Sequence, residues 1–270
     1  MLRTRILTAI VLACILLAGL FLLPPPWAVP AFGAVFALAA WEWAGFGALR
    51  GRAGRAVYAA AIALLMFLAW RWSADRAHLL LLLCAACAWW VLALLWMCVT
   101  PARHHPVVAL CCGLPVLVPA FIALARLDTS TQGMARGPEL VLWLVLLVIA
   151  ADIGAYTAGR TLGRRKLAPR VSPGKTWEGA LGGLAMVALV AWAGAARFGF
   201  APPAVVVFGA AVGIFSIIGD LTESMFKRAA GLKDSGTLLP GHGGLLDRID
   251  SVTAAAPLYA LGLFGAGVIP

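Results

Sequence analysis

Four polar side chains in the stretch "IIGDLTESMFKR" stand at i, i+3, i+4 and i+7: Asp220, Glu223, Ser224 and Lys227. On a helix they share one face. An ionisable group inside an apolar span costs about 2.5–3.5 kcal/mol even on lenient insertion scales. Such a face is therefore expected to line a cavity or hold a cation. A pairing of Glu223 with Lys227 at a helix end accounts for those two residues but not for Asp220, about two turns further in. The chain continues "AAGLKDSGTLLPGHGGLLDRID", a glycine-rich loop ending in Asp247, Arg248 and Asp250 where the next apolar run begins. Acidic residues in a first helical turn are ordinary complements to the helix dipole, so Asp250 alone means little. A reverse connection can, however, bring Asp220 and Asp247 to one ion. Hard oxygen donors contributed by few protein groups suit Mg²⁺, which keeps waters and substrate phosphates in its shell.

A second polar stretch reads "GRTLGRRKLAPRVSPGKTWEGALGG". Its "SPGKT" resembles a phosphate-binding P-loop, but Pro169 stands where that pattern needs glycine and no βαβ unit surrounds it, so it is not a Walker motif. Ser172, Lys175 and Thr176 precede a helix expected to open near Trp177–Glu178. Free backbone N–H groups, hydroxyls and a lysine at a helix N-terminus suit an anionic phosphate. Arg164, Arg165 and Lys166 read equally well as determinants of membrane topology. Asp152, in "IAADIGAYTAG", reads equally as a ligand-side carboxylate and as a structural hydrogen-bonding group; Gly154 and Gly159 beside it permit close helix packing. His242 is either an acid–base group or, given its glycine neighbours, part of a turn that meets a ligand. His104–His105 before Pro106 reads as a short loop.

The elements that must position these groups are membrane helices. The 270-residue chain is 63% hydrophobic and 12% charged, against about 25% charged in soluble domains. Apolar runs of about 18 or more residues are long enough to cross a bilayer, and a barrel would show short alternating segments instead. An all-α polytopic membrane protein with nine spans is expected, at 6–23, 27–49, 56–72, 77–99, 107–126, 138–158, 178–196, 202–226 and 250–269. Residues 1–137 would form a scaffold of about five spans, and 138–270 a catalytic region of about four with two polar loops. The net charge of +10 is explained by positive-inside topology and phosphate-bearing ligands, with no nucleic-acid partner expected. With the N-terminus in the cytosol, only Arg71, Arg76, Arg126, Arg136 and Arg197 of the 21 Lys and Arg fall on the far side, and both polar loops face the cytosol. The first apolar run is expected to be a retained helix, being longer than a usual signal sequence. The six cysteines lie in apolar runs, and Cys84–Cys87 lacks a partner pair, so all are read as small buried hydrophobes.

The segment "SMFKRAAGLKDSGTLLPGHGGLLDRID" (Ser224–Asp250) resembles the C-terminal motif of phosphatidate cytidylyltransferases, also called CDP-diacylglycerol synthases. Ser224, Lys227, Arg228, Lys233, Asp234, Pro240, His242, Gly243, Gly244, Asp247, Arg248 and Asp250 carry the resemblance, and "DIGAYTAGRTLGRRKL…SPGKTWEG" is similar to the segment before it. The resemblance implies transfer of CMP from CTP to phosphatidic acid, giving CDP-diacylglycerol and pyrophosphate in the phospholipid biosynthesis of a bacterial inner membrane. It further implies Mg²⁺ on Asp220 and Asp247 with Glu223 and Asp250 nearby, catalysis by those aspartates with Lys227, Arg228 and Arg248, and nucleotide phosphate on Ser172, Lys175 and Thr176. Lys227, Arg228, Lys233 and Arg248 would hold lipid phosphate or pyrophosphate. Ser224, Asp234, His242, Gly243 and Gly244 would complete the substrate site. A second cation and a homodimer are left open. Two other readings remain at this point: a CTP-dependent polyprenol or lipid kinase, with similar groups but γ-phosphoryl transfer, and a secondary transporter, whose glycine-broken helices also carry intramembrane carboxylates.

Overall fold

A computed structural model describes residues 2–49, 51–100, 105–130, 137–198, 201–241 and 243–269. His242, Arg103, His104 and Arg136 lie outside the described residues. The elements in chain order are α1 (Leu2–Phe21), α2 (Pro25–Trp43), α3 (Arg52–Trp72), α4 (Arg76–Val99), α5 (Pro106–Asp128), α6 (Gly137–Thr161), β1 (Lys166–Ala168), β2 (Ser172–Thr176), α7 (Trp177–Phe198), α8 (Pro202–Ala229) and α9 (Leu246–Gly265). The described residues thus form nine helices, in register with the nine apolar runs. Six of them, α3 through α8, are long and apolar enough to cross a membrane by length and composition. Their outer faces present large apolar side chains such as Leu64, Phe67, Leu81, Leu92 and Trp192, the surface a helix shows to hydrocarbon where no polar backbone group can go unsatisfied.

Helix starts follow local chemistry. Asp75 caps α4 by accepting from the N–H groups of Ala77 (2.8 Å) and His78 (3.2 Å). His105 caps α5 through Nδ1, which accepts from Val107 N at 3.3 Å, with Pro106 in the first turn. His105, expected in a short loop, thus serves as this cap.

The core centres on α5, whose residues from Val116 to Ala125 are continuously buried. α5 packs on α9, α2, α3 and α6, and α9 packs in turn on α8 and α4. Trp43 and Phe226 meet there with ring centroids 5.1 Å apart, and Trp43 Nε1 donates to Ala109 O at 2.7 Å, so the buried indole N–H is satisfied. The most extensive helix pair is α6 with α7. Small residues make that seam: a Cβ on Gly182 would stand 2.3 Å from Ala158 Cβ, and one on Gly154 would stand 2.5 Å from Gly182 O. The close packing expected at Gly154 is therefore present.

Three local expectations differ from the structure. First, α2 stops at Trp43, six residues before the apolar run does. Ala44–Leu49 forms consecutive turns closed by Leu49 N donating to Ala44 O at 3.2 Å, and Arg55 Nε donates to Leu49 O at 2.8 Å. Second, the stretch before α7 is an antiparallel β-hairpin, with Lys166 opposite Thr176 and Ala168 opposite Ser172. Strands of three and five residues leave no period to read, but Pro169 sits in the connecting turn, which is closed by Val171 N donating to Ala168 O at 3.1 Å. Third, only Cys112 among the six cysteines is buried; Cys14, Cys84, Cys98 and Cys111 face outward, and Cys87 is half-buried. In a membrane helix the lipid-facing side is as apolar as the interior, so an apolar run does not tell which side a small residue takes.

Candidate active site

The hairpin is fixed to α7 by backbone polarity. Glu178, in the first turn, accepts from Arg164 N (3.0 Å) and Arg165 N (3.2 Å), and Trp177 N donates to Arg165 O (2.9 Å). Buried Thr176 caps the helix, its Oγ1 accepting from Gly179 N at 3.1 Å. This fixes Lys175, one residue earlier on β2, over a cavity of about 460 Å³ between α6, the hairpin, α7 and α8. Asp152, Tyr156, Arg160, Lys175, Thr176 and Asp220 supply its polar wall, and Ala151, Ala155 and Ile217 its apolar one. Lys175 Nζ is ion-paired with Asp220 Oδ2 across it. Ser224, one turn on, donates from Oγ to Asp220 Oδ1 at 3.4 Å. Arg160 Nη1 donates to Tyr156 OH at 2.8 Å on the opposite wall.

A second cluster joins the end of α8 to the start of α9. Lys227 Nζ donates to Asp247 Oδ1 at 2.7 Å and lies 3.1 Å from Glu223 Oε1, one turn back. Asp247 is held further by the loop: Ser235 N donates to both of its oxygens (3.2 and 3.0 Å) and Gly244 N to Oδ2 (2.8 Å). Asp247 precedes the apolar run 250–269. Burial there would raise its pKa, but the Lys227 and Gly244 hydrogen bonds, the Lys227 charge and the Ser235 bond outweigh it and hold the carboxyl below the usual range. It therefore stays ionised.

The two clusters form one electrostatic field. Asp152 lies within Coulombic reach of Asp220, Lys175 and Arg248. Asp250 lies within reach of Asp220, Lys227 and Lys175, and Glu223 of Asp250, Lys227 and Asp247. Five carboxylates thus share one field with Lys175, Lys227 and Arg248. Among the described residues no three His, Cys, Asp or Glu converge as a ready metal cage. The donor chemistry nevertheless fits a hard divalent cation: the five carboxylates outnumber Lys175, Lys227 and Arg248, and buried Glu223 has an Oε2 without any hydrogen-bond partner.

The sequence-expected residues fall into three groups. Asp220, Glu223, Ser224, Lys227, Asp247 and Asp250 are gathered on the facing ends of α8 and α9. Lys175 joins them from the hairpin, with Thr176 behind it and half-buried Ser172 at the start of β2. Arg228, Lys233, Asp234 and Arg248 are exposed at the rim, where Arg228 Nη1 donates to Leu232 O at 3.3 Å. Gly243 has φ +82° and shapes the loop, and a Cβ there would stand 2.9 Å from Asp247 Oδ2. Its neighbour Gly244 is buried. His242 lies outside the described residues.

One residue of the site was not expected. Glu42, near the end of α2, is 1% exposed and reaches the loop, accepting on Oε2 from Leu246 N (2.7 Å) and Ser235 Oγ (3.1 Å). Its signal in the sequence was a lone carboxylate inside "ALAAWEWAG", a position too costly to hold a charge without a partner.

Comparison with known proteins gives one consistent likeness. The sequence pattern of the cytidylyltransferase family matches residues 3–264. A phosphatidate cytidylyltransferase of Pseudomonas aeruginosa is 45% identical over 277 residues, covering 99% of this chain and 98% of its own. One from Haemophilus influenzae is 40% identical over 287 residues, covering 96% and 98%.

Proposed function

The chain belongs to the cytidylyltransferase family, and from that premise we propose that it transfers CMP from CTP to phosphatidic acid in a bacterial inner membrane, with its N-terminus and active site on the cytosolic side. The observation that carries this reading is the likeness, over nearly the whole chain, to two proteins named phosphatidate cytidylyltransferase. A cavity of about 460 Å³ beside a cluster of carboxylates and lysines supports it.

A phosphate oxygen of the lipid attacks the α-phosphorus of CTP. The new P–O bond forms as the bond to the bridging α–β oxygen breaks, and pyrophosphate leaves with that electron pair. The lipid phosphate is already ionised, so no base is needed, and His242 serves to position a ligand. Both reactants are anions; positioning and charge neutralisation therefore supply most of the catalysis. Lys175 turns from Asp220 to the nucleotide phosphates, with Ser172 and the N-terminus of α7 behind it. Arg228, Lys233 and Arg248 at the rim receive lipid phosphate or pyrophosphate, beside Ser224, Asp234, Gly243 and Gly244. Lys227 keeps Asp247 and Glu223 oriented. Asp220, Asp247, Glu223 and Asp250 would hold Mg²⁺, which supplies electrostatic stabilisation of the nucleotide phosphates and leaving group.

The test uses purified protein in detergent micelles with phosphatidic acid and CTP labelled in the α-phosphate, with and without Mg²⁺. CDP-lipid and pyrophosphate are expected, with turnover only when Mg²⁺ is present. A phospholipid product with CDP and no pyrophosphate would overturn the reading in favour of a CTP-dependent lipid kinase. Turnover in micelles, without any gradient, separates both enzymes from a transporter.

A further inference from the structure

We infer that Glu42 is a positioning residue for this site: from the N-terminal scaffold it caps α9 and orients Ser235, and so sets the place of Asp247. The inference rests on the activity proposed above. The first N–H groups of any helix lack intrahelical partners. At α9 the N-cap residue, Leu245, has no side chain able to accept one and makes no cap of its own. Glu42 Oε2 takes that role from 204 residues away, accepting from Leu246 N at 2.7 Å. A carboxylate at this end also complements the helix dipole.

The same oxygen receives the proton of Ser235 Oγ (3.1 Å). A hydroxyl has one proton and two lone pairs. With its proton committed to Glu42, Ser235 Oγ accepts from Asp247 N (3.3 Å), while Ser235 N donates to both Asp247 oxygens. The chain of contacts therefore runs from Glu42 through Ser235 to Asp247 and on to Lys227. Two glycines make room for it: a Cβ on Gly236 would stand 2.2 Å from Glu42 Oε1, and one on Gly244 would stand 2.6 Å from Oε2. Glu42 touches neither reactant in this arrangement. It acts through the loop.

The experiment compares E42Q, E42D, E42A, S235A and E42A/S235A in full-length protein, reading kcat, KM for CTP and amide hydrogen exchange over residues 232–250. Glutamine keeps an oxygen in the same place and should hold kcat within about threefold. Aspartate keeps the charge but is one methylene too short, and should lose about 10²-fold in kcat with KM for CTP nearly unchanged, as a misplaced catalytic group does. The alanine variant should fall as far and speed exchange at Ser235 and Leu246 while leaving α6 and α7 protected. The double variant should be no slower than E42A, because Ser235 acts in series with Glu42. Wild-type kcat in E42D or E42A, equal losses in E42Q and E42D, or multiplicative losses in the double variant would each overturn the inference. Should the alanine variants not purify, E42Q against E42D decides alone. If wild-type protein makes no CDP-lipid, the proposed function fails, and hydrogen exchange still reports whether Glu42 holds the loop.

Discussion

The site contains two lysine–carboxylate pairs that look alike in sequence and differ in setting. Lys175 and Asp220 meet across an open cavity, with side chains 27% and 29% exposed. Lys227 meets Asp247 and Glu223 between packed helices, with side chains 11%, 7% and 3% exposed. Ions in the first setting keep part of their hydration, so their partner can be exchanged at little cost. In the second setting, removing one partner strands the others without water, and the loss is large. The same chemistry therefore does two jobs: one pair is a contact that ligands can take over, and the other is a fixed strut between α8 and α9.

This contrast can be broken or sharpened by substitution. The largest expected effect is at the strut. K227A leaves two buried carboxylates unpaired and should cost about 3–5 kcal/mol, read as lowered thermal stability in detergent together with loss of turnover; a melting temperature equal to wild type would end the distinction. D220N comes next, with turnover down by at least about 10²-fold but stability nearly unchanged, since its pair is half-open to solvent. A large fall in stability would place this pair in the fixed class as well. K175A should raise KM for CTP by about tenfold, the size of one charge-assisted hydrogen bond, and a change in kcat alone would remove Lys175 from nucleotide binding. The smallest effect on turnover is expected from G182A, whose cost falls on packing. Its methyl group meets Ala158 across the α6–α7 seam and should cost about 1–3 kcal/mol. Because that seam floors the Lys175 cavity, KM for CTP should respond while the pairing at Lys227 stays intact, which hydrogen exchange over 232–250 can follow.

The helices were legible because apolar runs of membrane length carry a strong signal, and all nine runs correspond to helices among the described residues. The carboxylate and lysine positions at the α8–α9 junction were legible for the opposite reason: polar groups are so costly in such runs that their helical spacing stands out. The hairpin was not, because its strands are too short to alternate. Thr176 was expected to meet phosphate, and its cap on α7 followed only once the helix start was fixed at Trp177. Glu42 was hidden by distance. Its charge was visible, but nothing local to "AAWEWAG" identifies a partner 204 residues on. The turns after Trp43 were missed because the stretch stays apolar to Leu49 and glycines such as Gly45 and Gly47 are tolerated in membrane helices, so hydropathy alone does not mark where α2 ends.

The Glu42 contact also bears on the order in which the molecule can be made. α2 leaves the ribosome well before α9. Until α9 arrives, a buried carboxylate on α2 has neither Leu246 nor Ser235 to receive, and the loop before α9 has no anchor. Contacts of such sequence separation form late, after the loop-closure entropy has been met by other packing. A nascent chain stalled after α8 would thus hold the elements around the Lys175–Asp220 cavity but not the Asp247 cluster, and the two halves of the site would join only once α9 has emerged.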